Sequence, residues 1–185
     1  MSCLTQEITT HGKHIAFMST PSLYFSLPSK AHKEASVLLE LDDDAFKHRV
    51  PSNHNYVHFD YCNGANDIPP SLQAAFDTVV IDPPFVTREC WQLYAQAAYA
   101  LMATPTEQNR DVFPGKVFAT TLAENAGLMH ELFNASPLAF RPCIPHLVYQ
   151  YLCFANYESS TLAHRRNPEV DGHSASGSDI VEPHN

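Results

Sequence analysis

At 185 residues, with 44% hydrophobic and 11% aromatic residues, the chain has material for one packed domain and no second one. Its formal charge of −9 argues against a protein that lives on nucleic-acid phosphates and fits a cationic partner better. The amino terminus lacks a basic-then-apolar leader, and no apolar run approaches the roughly 18 residues of a membrane span, so the expectation is a soluble, cytoplasmic protein with no membrane partner.

Five cysteines (Cys3, Cys62, Cys90, Cys143, Cys153) are scattered without any CxxC pair and read as free thiols. The eleven histidines show no HExxH spacing, and no metal site is expected.

In chain order, His14-Ile15-Ala16-Phe17-Met18 reads as a first buried strand. It leads through Ser19-Thr20 into a helix start, where either hydroxyl can cap and Pro21 suits the first turn. A nucleotide-binding α/β protein usually carries a glycine-rich loop at this point, yet the chain has six glycines and no GxGxxG, which argues against a dinucleotide dehydrogenase. Val37 to Leu41 makes a second strand. An acid at its tip can accept both hydroxyls of a ribose, and Asp42 is the expected one. Asp43 and Asp44 read as a solvated run capping a helix.

Tyr56 to Tyr61 reads as a third strand with Asp60 near its end, and residues 71–75 as a short helical piece. The central strand is Val79-Val80-Ile81, a β-branched run suited to cover on both faces. It ends at Asp82-Pro83-Pro84-Phe85. Neither proline has an N–H and each fixes φ, so the turn is stiff and rich in acceptors. Asp82 offers carboxylate oxygens, the prolines offer carbonyls, and Phe85 offers a flat apolar face. Such a corner suits an amine, which donates protons and needs its lone pair free.

Thr87 then caps a helix with Glu89 in its first turn. Cys90, Trp91, Tyr94, Ala97, Ala98, Leu101 and Met102 recur at helical spacing, and Trp91 and Tyr94 read as core. A loop over 103–114 precedes a fifth strand over 116–120 and an amphipathic helix marked by Leu122, Ala126, Met129 and Phe133. The prolines of 137–145 allow at most a short strand, over 138–141. Residues 147–157 suffice for a full strand, and the polar composition from 158 onward predicts a disordered tail. The alternation of strand and helix implies an α/β fold with a mostly parallel sheet and an antiparallel end.

The Asp82-Pro83-Pro84-Phe85 corner resembles the Asp/Asn-Pro-Pro-Phe/Tyr hallmark of S-adenosylmethionine-dependent amino-methyltransferases. The longer run through Val86-Thr87-Arg88-Glu89-Cys90 resembles the eukaryotic elongation factor 1A lysine methyltransferase family, first labelled N(6)-adenine methyltransferases. That resemblance implies a Rossmann-like class I methyltransferase sheet over residues 1–157, S-adenosylmethionine as cofactor and elongation factor 1A as protein substrate. It implies that Asp82, Pro83, Pro84 and Phe85 hold the acceptor. Ser19, Pro21 and Ser22 match the family's Ser-x-Pro-Ser-x-Tyr turn and are implied to line the donor pocket, as are Asp42, Asp60, Tyr61 and Asp82. Tyr61 reads equally as lying against the adenine or packing in the core. Family members carry an upstream segment ending in Gln-Phe-Trp-Tyr that helps close the site. Only eleven residues precede Gly12 here, without that motif, so the amino-terminal segment reads as short. Adenine in RNA or DNA as acceptor, and a donor-binding scaffold without turnover, stay open beside the lysine reading.

Overall fold

The computed structural model describes residues 2–102, 115–143 and 149–171. Seven strands form one sheet: β1 (Ile15–Met18), β2 (Ser36–Glu40), β3 (Tyr56–His58), β4 (Thr78–Ile81), β5 (Lys116–Leu122), β6 (Ser136–Pro137) and β7 (Tyr151–Ala155), in the order β3-β2-β1-β4-β5-β7-β6. Strands β1 to β5 are parallel, whereas β7 is antiparallel to both β5 and β6, as the alternation predicts. The central strands are apolar on both faces because both faces are covered; every residue of β1 and β4 is buried.

Alternate residues of β1 therefore serve two cores. Ile15 and Phe17 join Leu38, Val80 and Phe118 on one face, under α1 (Ser2–His11) and α2 (Pro21–Phe25). Two short helices, α3 (Lys30–Glu34) and α4 (Asp43–Phe46), lead into and out of β2. Ala16 and Met18 join Val79, Ile81, Trp91, Tyr94 and Met129 on the other face, covered by α5 (Arg88–Leu101) and α6 (Ala126–Phe133). Trp91 is fully buried with its ring edge-on to Phe133, so truncating it to alanine should cost about 3–5 kcal/mol. Thr87 caps α5 by accepting the Cys90 N–H at 3.3 Å, as expected.

Four local expectations need correction. Residues 71–75 form no helix: a 3-10 turn over Pro70–Leu72 is followed by Ala74 at a φ of 55°. The short strand expected over 138–141 lies at Ser136–Pro137 instead, because Leu138 already leaves the ladder after giving its N–H to the Cys153 carbonyl. Helix α1 has no counterpart among the expected elements; its sequence carries little polar and apolar segregation, and Leu4 and Ile8 are its buried contributions. Part of the tail expected from residue 158 is packed against the domain. There Thr161 donates its N–H and hydroxyl to the buried Glu7 carboxylate, Leu162 is fully buried, and Pro168–Asp171 form the short helix α7. The 103–114 loop, residues 144–148 of the last edge segment and strand, and residues 172–185 of the tail lie outside the described residues.

Candidate active site

The strand order reverses between β1 and β4, and at such a switch point the carboxyl ends of neighbouring strands splay apart to leave a crevice. Ladder bonds carry the register past the strand ends and set the rim. Ser19 gives its N–H to Leu39 at 2.9 Å, Phe59 gives its own to Glu40 at 3.0 Å, and Asp82 gives its own to Met18 at 3.3 Å. Ser19, Glu40, the Phe59-Asp60 pair and Asp82 therefore share one edge of the sheet.

Ser19 explains the absent glycine loop. It adopts the left-handed backbone, with a φ of 53°, that glycine would otherwise supply, a strain of about 1–3 kcal/mol for a residue with a Cβ. Its hydroxyl lies 2.6 Å from the Tyr94 hydroxyl, reached from α5. Tyr94 also stacks on Tyr61 with centroids 5.7 Å apart and meets Phe59 edge-on at 5.6 Å. Burial raises its phenol well above the ordinary range, so it stays a neutral hydrogen-bonding anchor. Tyr94 is thus core, as its helical spacing predicts, and also the bolt that joins the β1 turn to the β3 turn.

The next residue, Thr20, stands at the start of α2, but its hydroxyl caps nothing and is buried without a partner. Pro21 takes the first helical position, as expected, and Ser22 is exposed.

Asp42 does not sit at the tip of β2. It is exposed, two residues beyond the strand end, and caps α4 with one oxygen accepting the Ala45 N–H at 2.9 Å. The acid at the strand end is Glu40, half-buried, with one oxygen accepting the Leu41 N–H at 3.0 Å. Desolvation pushes its carboxyl above the ordinary range against the pull of that bond, and Asp42 adds to the rise. Asp60 begins a 3-10 turn by accepting the Cys62 N–H at 2.9 Å, and its own N–H goes to Asp67 at 2.8 Å.

Asp82 is open to solvent yet hemmed in by protein on most sides, the position of a group on the floor of a cleft. That crowding pushes its carboxyl up to about 6, against the pull of a hydrogen bond from the Thr120 hydroxyl. Pro83 is buried, which fixes the corner, while Pro84 and Phe85 project. Phe85 is 56% exposed; its centroid lies 6.1 Å from that of Tyr61, and the two rings border an apolar hollow of about 410 Å³ together with Cys90 and Leu93. Asn125, just beyond the end of β5, donates to the Val86 carbonyl at 2.9 Å and the Thr121 hydroxyl at 3.0 Å, tethering the segment that follows Phe85.

Glu40, Tyr94, Thr120 and Asn125 are not marked for the site by their sequence positions. Only Glu40 has a readable signal, since the Asp42-to-Ala45 cap pattern consumes Asp42 and leaves the preceding acid.

The residues of this rim suit a ligand with a positive centre, a diol and an apolar base. Glu40 has an oxygen to spare for hydroxyls, the Thr20 hydroxyl lacks a partner, and Asp82 is a crowded acid that a nearby cation would relieve. These are the demands of S-adenosylmethionine.

A family model described as "Probable N6-adenine methyltransferase" matches residues 1–159. The chain belongs to this family. Among curated proteins it is 28% identical to the EEF1A lysine methyltransferase 1 of Danio rerio, covering 86% of this chain and 90% of that protein. It is 30% identical to the Gallus gallus protein of the same name, over 85% and 70%, and 27% identical to a protein-lysine N-methyltransferase of Dictyostelium discoideum, over 85% and 69%. Its fold is similar to that of a candidate methylase from Haemophilus influenzae, 18% identical, with a TM-score of 0.55 over 85% of this chain and 96% of that one. The fold and the family are those of S-adenosylmethionine-dependent methyltransferases, as the resemblance around residues 82–90 implies.

Proposed function

We propose that this methyltransferase modifies a lysine side chain of a protein, elongation factor 1A, with Asp82, Pro83 and Phe85 holding the acceptor. Bound S-adenosylmethionine supplies an activated methyl group and its own leaving group. The protein's part is to hold a neutral amine in line and to offset the charge that grows on its nitrogen.

A lysine amine is neutral only about once in 2,500 molecules at pH 7, so its proton must leave before the nitrogen can attack. The observation that carries the reading is the corner itself. Asp82 and the Pro83 carbonyl are acceptors with no competing N–H from either proline, and the exposed ring of Phe85 suits the methylene stem of a lysine. Ionised Asp82 accepts a hydrogen from the amine and stabilises the ammonium product. The relatives' names agree with a protein acceptor.

On the donor side, we assign Glu40 to the ribose hydroxyls, with Asp60 receiving the adenine amino group. Ser19, Thr20 and Pro21 form the turn beneath the donor, with Ser22 just beyond it. Leu41, 52% exposed at the tip of β2, offers an apolar face to the base.

Adenine in RNA or DNA is the second reading. Phe85 favours it, because the same exposed ring could stack on a flipped base. A tritiated-methyl assay that offers elongation factor 1A beside RNA and DNA separates the readings. Label is expected in the protein alone and lost in Asp82→Ala. Label confined to nucleic acid overturns the lysine assignment, and donor binding without label in any acceptor supports a scaffold without turnover.

A further inference from the structure

A second cavity, of about 380 Å³, is lined by residues outside the site described above. Its walls are Cys3 and Leu4 of α1, Phe140 and Pro142 beyond β6, and Arg165 and Arg166 ahead of α7; among the described side chains no acidic one lines it.

Topology puts it at the rim end of the sheet. Helix α1 runs down into the base of β1 through Gly12 to His14, with the His11 carbonyl accepting from Lys116 at the foot of β5, so Cys3 and Leu4 stand at the upper end. Strand β6 is antiparallel to β7, with Leu138 bonded to Cys153, so Phe140 and Pro142 continue towards the level of Tyr151 and the rim.

The two arginines are held there by the backbone on either side of them. On one side Thr161 is bonded to the buried Glu7 and Leu162 is fully buried; on the other Asn167 donates to the Arg141 carbonyl at 2.9 Å. Both arginines are exposed and neither forms an ion pair among the described residues. On a chain of formal charge −9, an anchored pair of arginines facing a cavity with no carboxylate among its described side chains is a local reversal of the surface field. Guanidinium forks match carboxylate geometry, so the chemistry points to a carboxylate.

We propose that this cavity receives an aspartate or glutamate side chain of the protein acceptor, close to the methylated lysine, and so sets which lysine enters the corner. The proposal rests on the lysine reading given above. A surface loop that presents a lysine beside an acid would meet two sites of opposite sign: the lysine stem lies on Phe85 while its acidic neighbour lies between the arginines. Nucleic-acid phosphate would suit the arginines equally in isolation, but the acidic remainder of the chain repels a polyanion.

The test is methylation kinetics on elongation factor 1A with Arg165→Gln/Arg166→Gln and Arg165→Glu/Arg166→Glu, both on the full chain. The charge-reversed variant is expected to raise KM for the acceptor about tenfold or more, and the neutral variant less, with kcat and S-adenosylmethionine affinity unchanged. Added salt is expected to raise KM for the unmodified enzyme more steeply than for the neutral variant. Changing the acids that flank the target lysine to lysine is expected to restore the acceptor to the charge-reversed enzyme. A KM within twofold of the unmodified enzyme in both variants overturns the proposal while leaving the lysine reading intact. So does binding of an RNA oligonucleotide that is lost in the variants with acceptor kinetics unmoved. Failure of the unmodified enzyme to label any protein overturns both.

Discussion

Replacing Asp82 with asparagine should make the protein more stable and less active, and the pH at which each change appears is set by the cleft. Crowding pushes the Asp82 carboxyl from the ordinary aspartate range up to about 6. A folded-state value above the unfolded one means that the fold prefers the protonated acid. Ionised Asp82 therefore weakens the fold, fully above pH 6, with the penalty fading as pH falls through 6 towards the unfolded value near 4. A rise of that size would be worth about 3 kcal/mol for a group sealed from water. Asp82 is open to solvent, so screening reduces the figure to about 1 kcal/mol. Urea denaturation at pH 8 should show Asp82→Asn more stable by about that amount, and at pH 4 the two proteins should converge. Methyl transfer at pH 8 should drop by roughly 100-fold or more, because a preorganised acceptor for the developing ammonium is gone. An Asp82→Asn protein that is less stable at pH 8, or whose advantage does not change with pH, would refute the reasoning.

Three further outcomes follow from the same rim. Glu40→Gln should weaken S-adenosylmethionine binding by about tenfold, whereas Asp42→Ala should leave it unchanged and cost only the α4 cap, about 1 kcal/mol; titration calorimetry and thermal denaturation read the two. Asn125→Ala removes the tether of the segment after Phe85 along with its anchor on Thr121 and should lower kcat while donor affinity stays the same. Tyr94→Phe should cost about 1 kcal/mol of stability and reduce donor affinity, since the Ser19 turn loses its anchor; a mutant equal to the unmodified protein in both measurements counts against that role.

The sheet was legible because its strands are buried on both faces. A run such as Val79-Val80-Ile81 suits little else, and alternation of such runs with helical spacing leaves few topologies. The Asp-Pro-Pro-Phe corner was legible for a related reason, since its conformation is written in its own covalent structure. What could not be read was whatever depends on a partner distant in sequence. Tyr94 finds Ser19 across 75 residues, and Asn125 finds Val86 across 39. Glu7, in a helix with weak amphipathic character, is fully buried and is met there by Thr161, 154 residues away. Placing Asp42 at the tip of β2 missed for a local reason. Four acids within five positions compete for two jobs, and a helix cap needs its acid three residues before the N–H that it accepts, which assigns Asp42 and releases Glu40.

The crowding of Asp82 and Glu40 becomes intelligible when it is set beside the ligand. Both carboxyls are raised chiefly by desolvation, a cost to the folded chain at neutral pH that no lysine or arginine among the described residues offsets. A donor whose sulfonium and ammonium are positive supplies the missing charge, so its binding should pull both carboxyls back towards the ordinary range. Below pH 6, where Asp82 holds its proton, binding must then expel that proton. Calorimetry at about pH 5.5 in buffers of different ionisation enthalpy should register a net release of protons, and at about pH 8 the release should vanish because the acids are already ionised. A neutral analogue with the sulfonium replaced by a thioether carries one positive charge fewer and should expel less. Equal proton release by donor and analogue would mean that the acids answer to hydrogen bonds common to both ligands and not to the sulfonium charge, and Asp82 would then have no electrostatic hold on the reacting centre.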